Sequence, residues 1–183
     1  MRMLEDACAP IAIVGGAGWH AKAREHFTSF AERIGLPVAG AFRRQDAVPN
    51  SSKVWAGNLG YGPNPKLVER IKQADLVLVV GARLGEATTD SYTLITPDHP
   101  GQTLVHIHPD PAELGRVYRP DLAICADMAE FAEAADLWEG SDIARECFGD
   151  DVHHHLLTMA RHEWATFNGA VTDWERMRYF ERA

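Results

Sequence analysis

The sequence predicts an α/β fold built on parallel strands, and three observations carry that prediction. A short apolar run, Ile11-Ala12-Ile13-Val14, enters a glycine turn, Gly15-Gly16-Ala17-Gly18, and passes into a helical pattern. Leu76 to Val80 is uniformly apolar, as in a strand buried on both faces. Strand-like and helix-like segments alternate along the first two thirds of the chain, the order of β-α-β units with right-handed crossovers.

Each element has its own local signals. After the glycine turn, Trp19, Ala23, Phe27, Phe30, Ala31 and Ile34 recur at helical spacing. Gly35 and Pro37 stop that helix, and Pro37 to Ala41 reads as a second, weaker strand. Residues 42–62 are rich in Gly, Asn, Ser and Pro and read as loop, with a short strand near Val54-Trp55-Ala56. A helix opens at Asn64 as N-cap with Pro65 at its first position, buries Leu67, Val68 and Ile71, and ends at Asp75. The strand Thr103 to Ile107 follows a further loop. Asp110 and Glu113 then form a capping box for a short helix. Leu122 to Cys125 is the last strand, and Asp127 caps a helix with the stripe Met128, Phe131, Ala135 and Trp138. Beyond Gly140 the composition shifts. Residues 150–166 are helical by period, and Thr172 and Glu175 can box a final helix, in a tail without a strand of its own.

The chain has 183 residues, enough for one domain with an appendage. Hydrophobic residues make up 46% and charged residues 24%, a globular balance. The longest apolar run is far short of the ~20 residues that span a bilayer, and residues 1–10 lack a signal-peptide core. A net charge of −8 argues against nucleic-acid or anionic-membrane partners, which need clustered Lys and Arg. Three cysteines without a pairing motif, Cys8, Cys125 and Cys147, favour a reducing, cytoplasmic setting; Cys125 is expected to be buried and inert.

Gly16-x-Gly18-x-x-Ala21 is a G-x-G-x-x-A match in the strand-to-helix context that gives the motif meaning. Such glycines let backbone N–H groups approach a pyrophosphate at a helix N-terminus. The same turn also serves as a tight connection with no ligand. NAD is disfavoured, because the second strand ends in Phe42-Arg43-Arg44 where a ribose-binding acid would stand. The two arginines suit either a 2′-phosphate or a charged surface. His106 and His108 share one face of a strand but lack a third ligand, and His153, His154, His155 and His162 do not converge, so zinc is not expected. No G-x-S-x-G elbow is present, and no catalytic residue is assigned.

The order of a strand entering GGAG, a helix ending GLPV, then ADLVLVVGARLGE, then LVHIHPDPAELGRVYRPDLAICAD resembles the central domain of thiamine-diphosphate-dependent enzymes of the acetolactate synthase, pyruvate oxidase and benzoylformate decarboxylase group. The resemblance covers residues 10–140. It implies a Rossmann-like, DHS-like NAD/FAD-binding domain: a six-stranded parallel sheet with helices on both faces, here followed by a helical C-terminal tail. In relatives this domain holds FAD, an ADP group, or no cofactor. Carried over by position, Gly16, Ala17 and Gly18 match the glycine turn, Gly81 and Arg83 match a G-x-R segment, and His108 and Asp127 fall where the nucleotide end is contacted. His108 stands where the family usually has an acid.

The resemblance further implies thiamine diphosphate and Mg²⁺ in a parent enzyme acting on 2-keto acids, with their sites outside this chain. No G-D-G motif occurs; Gly149-Asp150 is followed by Asp151. Residues 1–140 are thus expected to be a middle domain, and 141–183 a linker toward a missing C-terminal diphosphate-binding domain. Its other partners would be an N-terminal pyrimidine-binding domain and further copies in a homo-oligomer. FAD and ADP are not the favoured occupants. The alternative is a free-standing Rossmann-type protein binding NADP, ADP or FAD. The strand order should be 3-2-1-4-5-6, with residues 15–18 and 81–83 lining one crevice.

Overall fold

The computed structural model describes residues 2–97 and 100–139. Its strands are β1 (Pro10–Val14), β2 (Val38–Gly40), β3 (Trp55–Asn58), β4 (Leu76–Val80), β5 (Thr103–His108) and β6 (Leu122–Cys125). They form one six-stranded sheet in the order β3-β2-β1-β4-β5-β6. Every pairing is parallel. The expected strand order is therefore found, with the reversal of winding between β1 and β4. β3, the strand only faintly marked in the sequence, lies at one edge and pairs with β2 through an irregular register at Val38/Ala39.

The helices are α1 (Arg2–Glu5), α2 (Ala21–Ile34), α3 (Pro65–Lys72) and α4 (Met128–Glu139). Alternation along the strands divides the core in two. Ala12 and Val14 of β1, Leu76, Leu78 and Val80 of β4, and Val105 and Ile107 of β5 face Phe27, Phe30 and Ala31 of α2 and Met128, Ala132 and Ala135 of α4. Ile11 and Ile13, Val77 and Val79, and Leu104 face Leu67 and Ile71 of α3, together with Leu84, Leu94, Ile95 and Tyr118 from loops. Helices thus cover both faces, and no helix among the described residues is long and apolar enough to cross a membrane.

Caps explain the helix limits. Gly35 adopts φ 68 and donates its N–H to the Ala31 carbonyl, the left-handed terminator its sequence position suggests. Asn64 accepts from the Lys66 N–H at 2.9 Å. α2 starts after His20 rather than at Trp19, because the His20 Nδ1 accepts from the Ala23 N–H at 3.2 Å and acts as N-cap.

Three local expectations are corrected. α3 ends at Lys72, with Gln73 as its C-cap. Asp75 instead accepts from the backbone N–H groups of Cys8 at 2.5 Å and Ala9 at 2.9 Å, tying the approach to β1 onto the start of β4. Residues 111–115 form turns, not a helix. Asp110 does cap the Ala112 N–H at 2.9 Å, but the Glu113 carboxylate turns to Arg116 at 2.6 Å instead of closing a box, and Gly115 follows with φ 82. Cys125 is exposed, because β6 is an edge strand, and its thiol faces the Pro109 carbonyl at 3.5 Å. The helical expectations for residues 150–166 and 172–180 lie outside the described residues.

Candidate functional site

The carboxyl ends of β1 and β4 bring the glycine turn and the Gly81-Ala82-Arg83 segment side by side. The Gly15 N–H donates to the Val80 carbonyl at 3.0 Å, and the Gly81 N–H to the Ile107 carbonyl at 2.8 Å, so both loops leave the sheet already tethered. Gly16 has φ 76 and Gly81 has φ 71. A β-carbon on Gly16 would strike the Gly81 carbonyl oxygen, and one on Gly81 would strike the Met128 sulfur and lie 2.6 Å from the Gly15 oxygen. These two glycines exist to let the loops and α4 close on each other. Gly18, with φ 90, is more open: its nearest neighbour to a β-carbon would be an Asp127 carboxylate oxygen at 3.4 Å. Ala17 and Gly18 are exposed.

Gly16, Gly18, Gly81 and Asp127 therefore lie close together beyond the carboxyl ends of β1 and β4, with Ala17 exposed beside them. The Asp127 side chain also caps α4, its Oδ1 accepting from the Ala129 N–H at 2.8 Å. Trp19 packs into the core instead. Its indole is buried, donates from Nε1 to the Gly15 carbonyl at 2.6 Å, and meets Phe27 edge-on at 5.4 Å.

Arg83 takes part in a second group. Arg83, Tyr92, His106, Glu113, Arg116 and Tyr118 line a cavity of about 260 Å³ beyond the ends of β4 and β5. The Arg83 guanidinium is 69% exposed and lies 3.5 Å from the Glu113 carboxylate, which is only 10% exposed and also binds Arg116. An internal anion thus already occupies the two cations. His106 donates from Nε2 to the Ala82 carbonyl, 3.0 Å away, if the ring carries its proton there. Burial pushes the His106 imidazole below its ordinary value, with the Ala82 carbonyl opposing and His108 adding to the fall. Burial likewise raises the Tyr118 phenol, with the Thr89 hydroxyl opposing. The adjoining Asp90, Ser91 and Tyr92 all have positive φ, a left-handed turn of non-glycine residues that sequence reading missed.

His108 is turned to its own loop. It is buried, and its Nδ1 accepts from the Asp110 N–H at 3.1 Å. Its ring lies 6.0 Å from that of His106. Among the described residues no group of three side chains could hold a metal ion. The paired arginines do not converge either: Arg43 stacks over Phe42 at 5.1 Å, whereas Arg44 and Arg24 both reach Asp46, at 3.4 and 3.2 Å.

Comparisons with known proteins give two signals. The glutamine synthetase catalytic-domain model matches residues 110–179. A gamma-glutamylethanolamide synthetase of Streptomyces coelicolor is 49% identical over 67 residues, covering 34% of this chain and 14% of that protein. The stronger coverage lies elsewhere. A sulfoacetaldehyde acetyltransferase of Castellaniella defragrans is 28% identical over 184 residues, covering 97% of this chain and 29% of that protein. The acetolactate synthase large subunit of Corynebacterium glutamicum is 27% identical over 130 residues, covering 71% of this chain and 20% of that protein. The chain thus spans under a third of the length of either of these two relatives. The model of the thiamine pyrophosphate enzyme central domain matches residues 1–135. With the sheet order that the structure shows, the chain belongs to the central-domain family of thiamine pyrophosphate enzymes.

Proposed function

We propose that residues 1–140 serve as the middle domain of a thiamine-diphosphate enzyme acting on 2-keto acids, an acetolactate synthase-like lyase or decarboxylase. The observation that carries this reading is the β1/β4 switch point, where Gly16 and Gly81 abut within a family match over residues 1–135. The domain's part is structural. It presents a rigid parallel sheet to the domains that hold thiamine diphosphate and Mg²⁺, which come from a pyrimidine-binding and a diphosphate-binding domain in a homo-oligomeric cytoplasmic enzyme. None of the chain's own residues is assigned a catalytic step.

A flavin or adenine dinucleotide fits this glycine turn poorly. Open backbone at Ala17 and Gly18 suits a diphosphate. The Asp127 carboxylate beside Gly18 repels one, and Glu113 competes for Arg83. A free-standing NADP-binding role is disfavoured for a similar reason, since Asp46 holds Arg44. The assay that tests the proposal mixes the purified chain with pyruvate, thiamine diphosphate and Mg²⁺ and follows decarboxylation. No turnover is expected; turnover by the chain alone would overturn the non-catalytic role.

A further inference from the structure

We propose that the cavity beyond the ends of β4 and β5 binds a small organic monoanion with an apolar body, a monocarboxylate in the simplest case. The proposal goes beyond the middle-domain reading and does not depend on it. The cavity holds about 260 Å³ between the Arg83–Gly85 segment that leaves β4 and the Glu113–Tyr118 segment that follows β5. That is less than the roughly 300–1,000 Å³ of pockets for drug-sized ligands, so it suits a small molecule and excludes a dinucleotide.

Its walls offer an apolar surface. Leu84 and Tyr118 are buried, while Val117 and Tyr92 stay 41% and 39% exposed at the cavity. The Tyr92 and Tyr118 rings lie 6.4 Å apart. An apolar ligand body would take Val117 and Tyr92 out of water. Tyr92 holds its place against backbone strain. It ends a run of three left-handed residues, Asp90, Ser91 and Tyr92, with φ of 49, 55 and 65. The Ser91 N–H donates to the Glu86 carbonyl at 2.9 Å and the Tyr92 N–H to the Thr89 hydroxyl at 3.2 Å, which pins the turn. Strain kept in this way beside a cavity is the mark of a side chain held ready for a ligand.

The charges select the ligand. In the cavity lining two guanidinium groups, Arg83 and Arg116, face one carboxylate, Glu113. Burial holds the His106 imidazole below its ordinary value, and so neutral at neutral pH. One positive charge is left over. Glu113 Oε1 accepts from Arg116 at 2.6 Å but meets the Arg83 Nε only at 3.5 Å. Arg83, 69% exposed, is therefore the cation open to a ligand. A single carboxylate balances the leftover charge and matches the planar guanidinium. A diphosphate brings several negative charges against Glu113 and is rejected.

Calorimetric titration of the full chain near neutral pH tests this with four probes: benzoate, benzamide, acetate and inorganic pyrophosphate. Benzoate is expected to bind saturably at about millimolar concentration. Benzamide has the same shape without the charge, and acetate has the charge without the apolar body; both should bind far more weakly, and pyrophosphate should not compete. Arg83→Gln should weaken benzoate by about tenfold or more, through loss of a charge-assisted contact. Tyr92→Ala should weaken benzoate several-fold and leave acetate unchanged. No saturable benzoate heat, equal binding of benzamide, or full affinity in Arg83→Gln would overturn the proposal. Pyrophosphate binding more tightly than benzoate would overturn it too, by showing a diphosphate site. Any of these failures leaves the middle-domain reading of residues 1–140 standing.

Discussion

Gly16 and Gly81 meet backbone to backbone across the switch point of the sheet, with no room for a side chain on either. Both have positive φ, so a substitution adds strain to collision. Gly81→Ala should lower the unfolding free energy by about 2–5 kcal/mol, combining left-handed backbone strain with overpacking against Met128. Gly62 is the control. Its φ of 70 is similar, but a β-carbon there meets nothing within 4 Å. Gly62→Ala should cost only about 1–2 kcal/mol of backbone strain. Urea unfolding of both variants checks the contrast, and equal losses would show that loop closure is not what the Gly81 position serves.

His106 gives the protein a pH dependence of known sign. Its folded value lies below the ordinary 6.5, chiefly through burial, so the folded state prefers the neutral ring. Its contribution is full above about pH 6.5 and is lost as pH falls through that value toward the lower folded one. His106→Gln should be less stable than the parent by about 1 kcal/mol near pH 7.5, reflecting a weakened bond to the Ala82 carbonyl. The gap should narrow on going to pH 5, because glutamine has no proton to take up. Parallel stability profiles for the two proteins would count against this assignment.

Trp19 anchors the glycine turn from below. Trp19→Phe removes the donor to the Gly15 carbonyl while keeping an aromatic ring near Phe27. A loss of about 1–3 kcal/mol is expected for a buried carbonyl left without its partner. Thermal unfolding measures it, and an unchanged melting temperature would mean that the turn holds itself.

The flavin question is decided by fluorescence titration. The purified chain is expected to be colourless and to show no saturable micromolar FAD binding. Glu113→Gln should raise whatever weak affinity exists, since it removes the anion that competes for Arg83. Saturable binding by the parent protein, lost in Arg83→Ala, would show a live nucleotide site and refute the structural role.

Much of this fold was legible because its strands are buried runs with one meaning. Leu76 to Val80 and Ile11 to Val14 announce central parallel strands, and Gly35 and Asn64 mark helix ends through backbone chemistry that their residue types favour. The site was less legible. The expectation that residues 15–18 and 81–83 meet agrees with the contact of Gly16 and Gly81, since strand ends of a doubly wound sheet converge at the switch point. It did not foresee that Arg83 would pair with Glu113, because that contact depends on a turn replacing a helix at residues 111–115. His20 as a cap was hidden because histidine is not among the favoured capping residues. The exposure of Cys125 follows from β6 being the sheet edge, which an apolar strand pattern by itself does not reveal.

A middle domain of this family should form no thiamine diphosphate site from its own residues. Isothermal calorimetry of thiamine diphosphate into the full chain, with and without Mg²⁺, tests it most directly. No saturable heat is expected in either condition; tight binding that requires Mg²⁺ would show that this chain forms such a site by itself.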